Sequence, residues 1–189
     1  MVIHDFGGKT IVTETRGLKT EPFNPNFKGG WVFYGTEGII AGESLFDLEG
    51  KLVRTFEGKS ESHFGNFLKA VRSRRVSELH ADILEGHQST ALCHVGNISY
   101  RLGRLSSPDE IQKNLEQLKV TDDVLKTFQC TRQHLAENAV DLEKSKLTLG
   151  PILRLDSDKE KFVDNPVADA LLTREYRKPF VLPTAKEVS

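Results

Sequence analysis

Glu85–Arg104, EGHQSTALCHVGNISYRLGR, reads as one amphipathic helix that closes at Gly103. Ala91, Val95, Ile98 and Leu102 follow at spacings of four, three and four, the repeat of a helix face buried against a partner. Leu84 and Leu92 widen that stripe. His87 and His94 lie two turns apart on a neighbouring face, with Asn97 and Arg101 three and seven residues beyond His94. Such a polar row lines a cleft or docks a partner domain.

Working back from this helix, the period changes. Phe64, Phe67, Leu68 and Val71 mark a second helix over 60–75, which Ser60 or Ser62 can cap and whose end carries Lys69, Arg72, Arg74 and Arg75. Before it the chain reads as three hairpins: VIHDF and TIVTETR around Gly7-Gly8-Lys9, WVFY and GIIA around residues 35–38, and 44–56 around Glu49-Gly50-Lys51. The middle strands are apolar on both faces and call for cover on both sides. Between the first two hairpins, GLKTEPFNPNFKGG (17–30) has too many prolines, glycines and asparagines for a regular element and reads as a shaped loop.

Beyond Gly103 two helices are expected, over 108–119 and 121–138, with narrow apolar faces suited to a peripheral hairpin. LTLGPILRL is a short extended piece broken at Gly150-Pro151, DSDKEKFVDNP a polar turn, Val167–Leu172 a short helix, and YRKPFVLP a tail whose course prolines fix. The fold expected is therefore α+β: an open, mainly antiparallel sheet covered on one face by helices, with a peripheral helical hairpin. The segmentation is 1–105 for the sheet and its covering helices, 106–140 for the hairpin, and 141–189 for an extended segment packing on the same domain. A strand beginning at Val2 implies either an unusually compact start or the rear part of a longer protein.

The 189 residues carry a formal net charge of −1, which gives no electrostatic case for nucleic acid or an anionic membrane. No run is apolar enough to span a bilayer and no signal peptide is visible, so a cytoplasmic location is expected. Cys93 and Cys130 make no disulfide framework and are expected reduced and buried as small hydrophobes. His63, His80, His87 and His94 are spaced 17, 7 and 7 residues apart, which matches no metal-ligand pattern. Ser89 and Cys93 lack a nucleophile elbow. The glycine pairs join strand to strand rather than strand to helix, so no dinucleotide turn is present.

Three runs taken together carry a resemblance: HFGNFLKAVRSRR (63–75), the helix 85–104, and TLGPILRLDSDKEKFVDNPVADALLTREYRKPFVLP (148–183). They resemble the C-terminal part of bacterial Gfo/Idh/MocA-type oxidoreductases, in particular the subgroup with a GHxSTxLCHxGNIxYRLGR helix and a REYRKPFVxP tail. The similarity extends through RGLKTEP and GWVFYGTEGII and is weakest over 106–140. It implies an N-terminal Rossmann domain for NAD or NADP, followed by an α+β domain whose sheet binds a sugar or polyol on one side and supports oligomerisation. The glycine-rich turn, the Glu-Lys-Pro segment with the catalytic lysine and the Asp/His motif would all precede Met1.

On this reading the chain binds no cofactor and has no catalytic residue of its own. Its partners would be a Rossmann domain, of the same or another chain, and further copies joined through the open sheet. Glu14, Arg16, His63, His87 and His94 are the candidates for lining the polyol, and Asn97 and Arg101 for docking the partner domain. Glu14 and Arg16 read more readily still as a cross-strand surface pair. The alternatives are a non-catalytic dimerisation or interaction module and, more remotely, a metal-dependent hydrolase using the histidines.

Overall fold

Glycine turns set the first elements. β1 (Val2–Asp5) and β2 (Thr10–Thr13) pair antiparallel, Val2 opposite Thr13 and Asp5 opposite Thr10. Gly7 and Gly8 between them take φ of 69° and 108°, a region that costs glycine nothing. The computed structural model describes residues 1–20, 30–58, 61–120, 123–183 and 187. Most of the loop expected at 17–30, Ser60 as a cap and a helix start at Thr121 lie outside the described residues.

The class is α+β, and the described strands pair antiparallel. β3 (Val32–Tyr34), β4 (Ile39–Ala41), β5 (Ser44–Phe46) and β6 (Leu52–Thr55) form a four-stranded meander, while β1–β2 and two later strand pairs are separate two-stranded sheets. The chain divides into two compact units, Met1–Thr15 with Glu85–Ser189, and Arg16–Leu84.

In the second unit the register settles which side chains share a face. Phe33, Ile40, Leu45 and Arg54 align across the meander, and Tyr34, Ile39, Phe46 and Leu52 align on the other side. Val53 is the extra residue where the β5–β6 register shifts. Trp31 joins the first face, its ring centre 5.0 Å from that of Phe33, and Arg54 lies 5.0 Å over the Phe56 ring. The expectation of two apolar faces thus takes concrete form, and Trp31, Phe33, Tyr34, Leu52 and Val53 are exposed.

α1 (His63–Ser73) starts where Ser62 Oγ accepts from the Gly65 amide and stops at Arg74, whose φ is 58°. Its apolar stripe forms as expected but faces solvent: Phe64 is 83% exposed, and Phe67, Leu68 and Val71 are exposed too. Periodicity specifies a side, not what covers it. The polar Asn66 is what buries instead. Its Nδ2 donates to the Glu78 carbonyl at 2.7 Å and its Oδ1 accepts from the His80 amide at 3.0 Å, tying α1 to the 3-10 turn at Val76–Glu78.

The first unit is built on α2 (Ile83–Arg101). Its stripe buries as the spacing predicts: Ile98 is 3% exposed, with Val95 and Leu102 beside it, packed on Phe162, Leu153, Ala168 and Leu171. Leu84 does not join it and is exposed. Gly96 lets β1 approach, since a Cβ there would come within 2.8 Å of Val2 Cγ1.

β7 (Arg104–Ser106) pairs with β8 (Leu147–Leu149). Between them run α3 (Pro108–Leu115) and α4 (Val124–Glu137). Ser107 caps α3 by accepting from the Glu110 amide at 3.2 Å, and Asp123 caps α4 by accepting from Lys126 at 2.9 Å. Narrow as their apolar faces are, Ile111, Leu115, Val124 and Phe128 close on one another as one of the two clusters, and Ile3, Val12, Leu147 and Leu149 pack against them. The polar turn DSDKEKFVDNP contains a small hairpin, β9 (Leu155–Asp156) with β10 (Lys161–Phe162), followed by α5 (Pro166–Ala170).

Both cysteines are exposed, against the expectation of burial. At about 100° per residue Cys93 falls on the side of α2 opposite Ala91 and Val95, and Cys130 falls opposite Val124 and Phe128 on α4. Helix phase overrides residue type here. Among the described residues no helix is long and apolar enough to cross a membrane.

Candidate functional site

α2 and the β9–β10 turn build the most developed polar constellation of the first unit. His87 lies in the second turn of α2, and its Nε2 is 2.7 Å from Glu160 Oε1. Glu160 occupies the turn at φ 50°, a conformation few non-glycine residues adopt. The carboxylate fixes which ring nitrogen faces it and so orients the imidazole, the arrangement that lets a histidine address a hydroxyl. Both side chains are half exposed or more, accessible to a small polar ligand.

His94, Asn97 and Arg101 continue along exposed positions of α2, keeping the row that the sequence spacing defines. Ser89 and Thr90 turn back instead into the helix, where Ser89 Oγ donates to the Glu85 carbonyl and Thr90 Oγ1 to that of Gly86, both at 2.6 Å. Hydroxyls so engaged are helix solvation, not nucleophiles.

Glu14 is half-buried, and its Oε1 accepts from Thr131 Oγ1 of α4 at 3.0 Å. The sequence candidates thus separate. Glu14, His87, His94, Asn97 and Arg101 belong to the first unit, Arg16 and His63 to the second. Within the first unit Glu14 engages α4 and His87 engages the β9–β10 turn, so these hydrogen bonds do not gather them into one cluster. Reasoning from sequence missed Glu160, in a charged segment without periodicity, and Thr131, a polar position of the helix expected over 121–138. It also missed His134, buried on α4 with Nδ1 lacking a hydrogen-bond partner.

Among the described residues no three histidines, cysteines, aspartates or glutamates come together as a metal site. His80 Nε2 lies 3.3 Å from Glu61 and His87 is held by Glu160, so two of the four clustered histidines are engaged by carboxylates.

The electrostatics are local. The Arg104 guanidinium beside Glu110 holds its carboxyl below the usual range, and Lys144 and Lys159 do the same for Asp141 and Asp156. His4, half-buried on β1 opposite Ile11, is pushed below its ordinary value of 6.5 by burial. The unfolded chain therefore binds a proton at His4 more readily than the folded one. The stability involved is present above pH 6.5 and is lost as pH falls from there through the lower folded value. The carboxylates act only further down, below 4.5 for Glu110 and 3.8 for the aspartates. Melting followed between about pH 8 and pH 5.5 should show the midpoint falling on acidification, and falling less in His4→Gln. Equal slopes in the two proteins would remove His4 as the cause.

No family model matches the chain, and neither a curated protein nor a solved structure does.

Proposed function

We propose that this chain supplies the substrate-binding and oligomerisation part of an NAD(P)-dependent oxidoreductase of the Gfo/Idh/MocA type, acting on a sugar or polyol in the cytoplasm. The three long runs at 63–75, 85–104 and 148–183 support the family reading. The observation that carries the oligomerisation half is the meander of the second unit, where Trp31, Phe33, Tyr34, Leu52 and Val53 stand exposed on a sheet apolar on both faces. Clustered exposed aromatics of this kind mark interaction surfaces.

Oxidation of a polyol moves a hydride from the carbinol carbon to a nicotinamide and the hydroxyl proton to a base, which the resemblance assigns to a lysine of a Rossmann domain. The chain's own contribution is recognition. His87, oriented by Glu160, hydrogen-bonds substrate hydroxyls; Glu14, Arg16, His63 and His94 are the further candidates, with Asn97 and Arg101 toward the nucleotide domain.

Light scattering of the purified chain is expected to give a dimer or larger species that Phe33→Asp converts to monomer without loss of secondary structure. Saturation-transfer NMR with myo-inositol and glucose is expected to show contact, weakened in His87→Ala. A monomer at every concentration sinks the oligomerisation half. Absence of transfer from any polyol leaves the second reading, a non-catalytic interaction module, which the same exposed sheet supports. The chain alone is expected not to bind NADH or NADPH saturably in the micromolar range.

A further inference from the structure

The C-terminal stretch REYRKPF (174–180) has a side-chain arrangement that the oxidoreductase reading does not use. The Arg174 guanidinium carbon lies 5.5 Å from the Tyr176 ring centre, and that of Arg177 lies 5.5 Å from the Phe180 ring centre. The Phe180 amide donates to the Arg177 carbonyl at 2.8 Å, closing the turn that brings ring and guanidinium together. Arg174, Glu175, Tyr176, Arg177 and Phe180 line one cavity of about 310 Å³. Neither arginine forms an ion pair with another described residue.

An arginine laid on an aromatic face loses little further freedom when its planar fork of donors meets an anion, so stacking prepares it for binding. Two such forks on one cavity match the oxygens and double charge of a phosphate monoester better than the single charge of a carboxylate. Lys178 adds a third cation next in sequence. Glu175, on the same lining, accepts hydrogen bonds and so favours a ligand with hydroxyls, while the rings of Tyr176 and Phe180 give its carbon frame an apolar wall. The volume sits at the low end for small-molecule sites, room for a phosphoryl group on a short carbon frame.

We infer that Arg174 and Arg177, each stacked on its ring, bind the phosphoryl group of a small phosphorylated polyol. This site does not depend on the oxidoreductase reading, and either can fail without the other.

Calorimetric titration of the full 189-residue chain with glycerol 3-phosphate, inorganic phosphate and glycerol, at constant ionic strength, tests it. Glycerol 3-phosphate should bind saturably in the millimolar range or tighter, inorganic phosphate more weakly, and glycerol undetectably. Arg174→Gln and Arg177→Gln should each weaken binding about tenfold, the cost of losing a charged donor pair. Arg177→Lys should recover only part of it, because an ammonium neither stacks nor forks. Both arginines are exposed, so the variants should melt like the parent protein. Absence of saturable binding by either phosphate probe, or unchanged affinity in the double glutamine variant, would overturn the site. Inorganic phosphate binding as tightly as the ester would overturn the role given to the carbon frame.

Discussion

Phe128→Ala is expected to lower the stability of the first unit by about 3–5 kcal/mol, the range for deleting a fully buried aromatic. Phe128 is 4% exposed and stands among Ile111, Leu115 and Val124, with β1–β2 and β7–β8 packed on the same cluster. The cavity therefore opens where two helices and two strand pairs meet, and none of them can close it alone. Because whole domains have about 5–15 kcal/mol in hand, the loss consumes a large share of the total. Urea titration followed by far-UV circular dichroism should show the helical signal lost at a much lower midpoint, with a milder shift for Phe128→Leu. The single tryptophan, Trp31, belongs to the other unit, so its fluorescence gives an internal comparison. A loss below about 1 kcal/mol would mean that the cluster relaxes freely and is not the core described.

Gly150→Ala is expected to cost about 2–3 kcal/mol, at the upper end for overpacking, and roughly 5–10 °C in melting midpoint. A Cβ on Gly150 would overlap Ser99 Oγ and sit 2.9 Å from the Ser99 carbonyl oxygen. That oxygen belongs to α2 and cannot swing aside as a side chain does. Ser99 Oγ is pinned as well, donating to the Pro151 carbonyl at 2.8 Å. Gly103→Ala should behave similarly, since its Cβ would meet the Leu149 carbonyl oxygen at 2.8 Å. Gly86→Ala, with nothing within 4 Å, is the control and should be neutral or stabilising. Thermal melts of the three variants separate these outcomes, and a Gly150→Ala protein melting with the parent would show that the segment after β8 can move away from α2.

How far the sequence is legible follows the kind of signal each residue carries. Hairpins announced by glycine turns, such as Gly7-Gly8 and Glu49-Gly50-Lys51, stand where their turn chemistry puts them, and the stripe of Val95, Ile98 and Leu102 buries as its period requires. What lies opposite a stripe is not local information. Phe162 is 4% exposed and meets Ile98, yet it sits alone in a run of charges that reads as a polar turn. The same limit governs the candidate site. His87 stands out by its place on the helix, whereas Glu160, which orients it, is one carboxylate among several and is selected only by a turn at φ 50°. Glu14 looks like half of a surface pair, and nothing in its neighbours announces Thr131, 117 positions along the chain, which it also meets. Arg174 and Arg177 read as tail cations until Tyr176 and Phe180 are found beneath them.

The first unit is assembled from two stretches, Met1–Thr15 and Glu85–Ser189, with the whole second unit between them in sequence. A ribosome delivers these in order, and that order matters. The β1–β2 ribbon emerges before the second unit and, as an isolated two-stranded hairpin, is marginal in water. Its apolar residues Ile3 and Val12 find their place only once Phe128 has been added, roughly 10 s later at ordinary elongation rates. Once Leu84 is made, Arg16–Leu84 is complete in sequence and can fold as a contiguous block, while the ribbon still waits with its apolar residues uncovered. Vectorial synthesis therefore leaves the ribbon, made before the whole second unit, to be secured only after it, and makes the nascent ribbon a segment on which a chaperone would have much to act.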